Sequence, residues 1–127
     1  MTDVTGTEIE VLLFSSDLML ISSAEGAATT AGFVFRSASS IEDLIAKATP
    51  TTVLCVDLGF AAVNPTLISK ELPALTTRSG IAFGPHVHTA KLDQAREAGF
   101  AKVMSRGQFV NRMVDELRSA AAAINRP

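Results

Sequence analysis

Two runs in this chain are apolar at nearly every position rather than at alternate ones: Ile9, Val11, Leu12, Leu13 and Phe14, and then Val53, Leu54, Cys55 and Val56 after Thr52. A strand with one wet face alternates, whereas a strand covered on both faces has no reason to, and double cover is the normal condition of a parallel sheet. Parallel neighbours also need long crossovers between them. The intervening segments supply these as helical patterns.

Asp17 stands where a carboxylate can cap a first helix, in which Leu18, Ile21, Ala24, Ala28 and Ala31 recur at helical spacing up to Gly32. Met19 and Leu20 widen that face, either as core or as a surface for a partner. Phe33 to Phe35 reads as a short second strand. Ser39 or Ser40 then caps a helix with Glu42 and Asp43 in its first turn and Ile41, Leu44, Ile45 and Ala48 inward, ended by Pro50. Beyond the third strand, Asn64-Pro65 marks a loop, and Leu67, Ile68, Leu72 and Leu75 suggest an irregular helix interrupted at Pro73. Ile81 to Phe83 is a fourth strand closed by Gly84-Pro85, Thr89 to Ala98 a helix, and Phe100 to Met104 a fifth strand. A last helix over Gln108 to Ile124 turns Phe109, Met113, Leu117, Ala120 and Ile124 to one side. Strands and helices in this alternation predict an α/β three-layer sandwich with a doubly wound, five-stranded parallel sheet. Residues 1–7 read as a flexible lead-in and 8–127 as a single domain.

Composition narrows the function classes. Hydrophobic residues make up 47% of the 127 and charged residues 19%, enough core for one domain without crosslinks. Thirteen acidic against eleven basic residues leave no basic face, and seven Phe with no Trp or Tyr leave little to stack on bases, so nucleic acid is not an expected partner. Cys55 is alone and sits in an apolar run, a buried inert thiol. No stretch is long and apolar enough to span a bilayer, and the start, Met1 to Glu8, does not resemble a signal peptide, so no membrane is expected and the cytoplasm is the default compartment.

In a doubly wound sheet, ligands meet the loops past the C-terminal strand ends. Five segments converge there: Ser15-Ser16-Asp17, Ser37, Asp57-Leu58-Gly59, Gly84-Pro85-His86 and Ser105-Arg106-Gly107. Asp57, at the end of a buried strand, either caps its own loop or presents a carboxylate that can accept a phosphoryl group or hold Mg²⁺. Asp17 offers a second carboxylate or simply the helix cap, and Ser15 and Ser16 offer hydroxyls to an oxyanion. His86 and His88, two apart in extended backbone, face one way and with Asp57 would make three metal ligands; capping or plain exposure is the alternative. Arg106 either pairs with Asp57 or is solvated. The loop Ser15-Ser16-Asp17-Leu18-Met19 is neither a dinucleotide nor a nucleoside-triphosphate loop, and no flavin loop or nucleophile elbow is present.

A strand Val53-Leu54-Cys55-Val56 that ends on Asp57, together with Ala98-Gly99 ahead of the fifth strand, resembles the receiver domain of two-component response regulators, from about Ile9 to Ile124. The resemblance implies a CheY-like, flavodoxin-like fold with strand order 2-1-3-4-5, a phosphorelay context, Asp57 as acceptor, and Gly59 at the place whose carbonyl helps bind Mg²⁺. Against the family pattern, Ser15-Ser16 replace an acidic pair, Gly84 a hydroxyl residue, Arg106-Gly107 a Lys-Pro, and Val103 a switch aromatic. Loss of these groups implies an atypical, stand-alone receiver that is not an enzyme and acts through protein contacts without a cofactor. Two alternatives stand beside it. One is a working Mg²⁺-dependent phosphoacceptor at Asp57; the other is a small metal-dependent hydrolase using Asp57, His86 and His88, with Asp17 and Gly59 as further metal candidates. The family also implies a contact face for a protein partner or a second copy, formed by the helix Thr89–Ala98, the fifth strand and the last helix. Phe109, Val110, Met113, Val114 and Leu117 would be its apolar arc and Arg112, Asp115, Glu116 and Arg118 its rim, unless Val110 and Val114 merely complete a monomer's core.

Overall fold

β1 (Glu10–Phe14) and β3 (Thr52–Asp57) run side by side in parallel, Leu12 opposite Leu54 and Phe14 opposite Val56. A computed structural model describes residues 8–125; the expected lead-in at 1–7 lies outside the described residues. β2 (Val34–Ala38) flanks β1 on the other side, while β4 (Ile81–Gly84) and β5 (Lys102–Ser105) continue beyond β3. All four pairings are parallel, in the order β2-β1-β3-β4-β5.

The uninterrupted apolar runs follow from cover on both faces. Val11, Leu13, Val53, Cys55, Ile81 and Phe83 pack on one side with α1 (Leu18–Ala31), α6 (Arg106–Asn111) and α7 (Met113–Ile124). Leu12, Phe14, Leu54, Val56 and Ala82 pack on the other, with residues from α2 (Ile41–Lys47), α3 (Pro65–Glu71) and α5 (Thr89–Glu97); α4 (Pro73–Ser79) leads into β4. Phe83 of β4 stacks on Phe109 of α6 with ring centroids 4.2 Å apart, a contact worth about 0.5–1.5 kcal/mol beyond its buried area.

The boundaries correct the sequence in several places. Asn64-Pro65 is a helix start rather than a loop: the Asn64 side chain accepts from the Leu67 N–H, and Pro65 takes the first turn, where it has no hydrogen bond to lose. Ser37 lies inside β2, so it is not a loop residue, and β5 begins at Lys102 rather than Phe100. The last helix begins at Arg106 and is broken at Arg112, whose φ of −129° leaves the helical region. In α1 the inward residues are Leu20, Ala24, Ala27 and Ala28, whereas Leu18 and Met19 stand 80% and 82% exposed. Among the described residues no helix is long and apolar enough to cross a membrane.

Candidate functional site

Ser15 and Asp57 meet because β1 and β3 are in register: one step past the Phe14–Val56 pair, the two strand ends place a hydroxyl and a carboxylate side by side. The Ser15 hydroxyl donates to Asp57 Oδ2 at 2.7 Å, and Asp57 Oδ1 accepts from the Gly59 N–H at 2.9 Å. Ser15 Oγ in turn accepts from the Asp17 N–H at 3.1 Å. Both Ser15 and Asp57 are buried, so Asp57 caps its loop from inside and is not an exposed carboxylate on the rim.

Asp17 divides its two oxygens between two helices. Oδ1 accepts from the Met19 and Leu20 N–H groups at 3.0 and 3.1 Å, the expected cap of α1. Oδ2 accepts from Arg106 Nη2 at 2.6 Å, while Arg106 Nη1 lies 4.0 Å from Asp57 Oδ2. Arg106 is therefore half-exposed but neither free nor committed to Asp57: its close partner is Asp17, and it spans the gap between the carboxylates. The Leu20 N–H and the Arg106 side chain hold the Asp17 carboxyl below its ordinary value of 3.8, against a smaller desolvation effect.

β4 closes the site without a side chain. A Cβ on Gly84 would lie 2.9 Å from Leu58 Cβ, so the buried Leu58 occupies the place next to this strand end. Ser16, His86 and His88 are exposed, and His88 starts α5 without a capping bond from its side chain. Among the described residues no three His, Cys, Asp or Glu side chains group as metal ligands, so Asp57, His86 and His88 are not assembled into a site. Each oxygen of Asp17 and Asp57 accepts at least one bond from the protein, and the Arg106 guanidinium, 2.6 Å from Asp17 Oδ2 and 4.0 Å from Asp57 Oδ2, holds the place a cation would take between them. Cys55, beneath the site, is wholly buried, and burial pushes its thiol up to about 12.

The Ser15–Asp57 contact is what the sequence left unseen. Both residues follow apolar strands, but only the register makes them neighbours.

No family model matches the chain, and no curated protein does. Solved structures match at low identity and over nearly full length. FixJ-N superposes with a TM-score of 0.73 at 18% identity, over 96% of each chain. The receiver domain from Clostridium thermocellum gives 0.72 at 11%, over 90% of this chain and 94% of that one. The beryllofluoride-activated NtrC4 receiver domain dimer gives 0.73 at 15%, over 91% and 98%. The fold is that of a response-regulator receiver domain. In that frame the β3 end of the receiver fold carries Asp57, and the groups around it are Ser15, Asp17, Gly84 and Arg106.

Proposed function

We propose that this chain is a receiver-fold signalling module that works through protein contacts, with phosphoryl transfer at Asp57 absent or impaired. The observation that supports this reading most directly is the state of the Asp57 carboxylate: buried, bonded to Ser15 and Gly59, and close to a guanidinium that is itself bonded to Asp17. To accept a phosphoryl group the carboxylate would have to give up the Ser15 bond and come out of cover. A metal ion would have to displace Arg106. The Cys55 thiol beneath the site stays protonated and buried. The compartment proposed is the cytoplasm.

The test is incubation with acetyl phosphate and Mg²⁺ followed by intact-mass spectrometry. No phosphoprotein is expected. Stoichiometric addition of one phosphoryl group, lost in Asp57→Asn, would establish the phosphoacceptor alternative instead.

A further inference from the structure

The two forks of the Arg106 guanidinium are turned to different carboxylates, Nη2 to Asp17 and Nη1 to Asp57. Among the described residues no other lysine or arginine pairs with either acid. Asp57 is buried, where two like charges repel more strongly than in water unless a cation stands between them. One side chain supplies that cation.

Arg106 reaches the place from two strands away. β4 lies between β5 and β3, so a side chain that starts just past β5 has to cross the end of β4 to approach Asp57. That strand ends on Gly84, which pairs with Ser105 and has no side chain of its own. The root of the arginine is held by a capping box: the Ser105 hydroxyl accepts from the Gln108 N–H at 3.1 Å, and Gln108 Oε1 accepts from the Ser105 N–H at 3.0 Å. Its tip is held by Asp17, whose other oxygen caps α1. A cation tethered at both ends stays in place at every concentration of free ions.

We propose that Asp17 and Asp57 form a latent divalent-cation site whose resident cation is Arg106, and that the guanidinium keeps metal out by filling the place itself. Carboxylate oxygens suit Mg²⁺ or Mn²⁺, and Mg²⁺ is commonly held by one or two carboxylates while it keeps several waters. With its own cation built in, the site carries the same charge whatever the divalent-cation level, and α1 stays joined to α6. The proposal rests on the reading above that Asp57 takes no phosphoryl group, and adds what holds the site in that state.

Mn²⁺ is the probe, because the free aquo ion is counted by electron paramagnetic resonance and its signal is lost on binding. The full chain is titrated beside Arg106→Gln, with Arg106→Met in its place should circular dichroism show that Arg106→Gln does not fold. The parent is expected to leave millimolar Mn²⁺ free, and so is Arg106→Lys, which keeps the charge. Arg106→Gln binds about one ion per chain, and its unfolding temperature rises with the metal. Binding is lost when Asp17→Asn or Asp57→Asn is added. Lys102→Gln, which frees the Glu116 carboxylate by the same loss of one charge, binds none. A folded Arg106→Gln or Arg106→Met that binds no metal overturns the proposal, as does binding that survives both aspartate substitutions or a parent that binds as well as its variants. Acetyl phosphate with Mg²⁺ separates the two readings. An unmodified parent beside a metal-free Arg106→Gln overturns the resident cation alone, whereas a parent phosphorylated on Asp57 overturns both.

Discussion

Adding a side chain at the end of β4, where Gly84 stands, is opposed by the packing. Gly84→Ala places a methyl carbon 2.9 Å from Leu58 Cβ, and both atoms are anchored directly to backbone, one to a paired strand and the other to a residue whose N–H bonds to the Phe83 carbonyl. Overpacking of this kind costs about 1–3 kcal/mol, while removing a glycine's freedom in the unfolded chain returns about 0.4–1, for a net loss of about 1–2 kcal/mol. With a urea slope of about 1–3 kcal/mol per molar, the unfolding midpoint falls by roughly 0.5–1 M at unchanged slope. Leu58→Ala gives no relief, because alanine keeps the offending Cβ. An unfolding midpoint equal to or above that of the parent would refute the reasoning, and with it the claim that Leu58 fills the space beside this strand end.

Other perturbations read the same site. Ser15→Ala leaves the buried Asp57 carboxylate without its hydroxyl donor and costs about 1–3 kcal/mol in urea unfolding. Because the folded carboxyl of Asp17 is depressed below 3.8, its contribution to stability is fully present above that value and fades as the pH falls through the lower folded value; Asp17→Asn should remove this part of the acid limb, measured as stability against pH between neutrality and acid. Cys55, held at about 12 by burial, should resist iodoacetamide at mild alkaline pH in the native protein and react once in denaturant, as intact mass will show.

Strands covered on both faces were legible as apolar runs, and β1, β3 and β4 fall within a residue or so of expectation. β2 was misplaced because it is an edge strand: its exposure alternates and it ends on Arg36, Ser37 and Ala38, which carry no strong apolar signal. The capped helix starts at Asp17 and Ser40 were readable and those at Asn64 and Ser105 were not; the break at Arg112 was not either, since neither proline nor glycine stands there. The residues of the site were legible by type, at the strand ends. Their pairing was not, because Arg106 choosing Asp17 over Asp57 depends on where α1 and α6 begin relative to each other, which no local pattern encodes.

The bond between Arg106 and Asp17 joins positions 89 residues apart, and that between Ser15 and Asp57 joins positions 42 apart. Loop closure of this length is costly for an unfolded chain; the Ser15 bond needs only β1 and β3 paired, whereas the Arg106 bond also needs α1 and α6 docked. The Arg106–Asp17 bond is therefore a seal across two docked helices rather than part of the strand pairing. Any opening that lifts α6 away from the sheet breaks it, even with β1 and β3 still paired. Hydrogen exchange at the Leu20 N–H, which donates to the other oxygen of the carboxylate Arg106 holds, then reads the docking of a helix more than half the chain away.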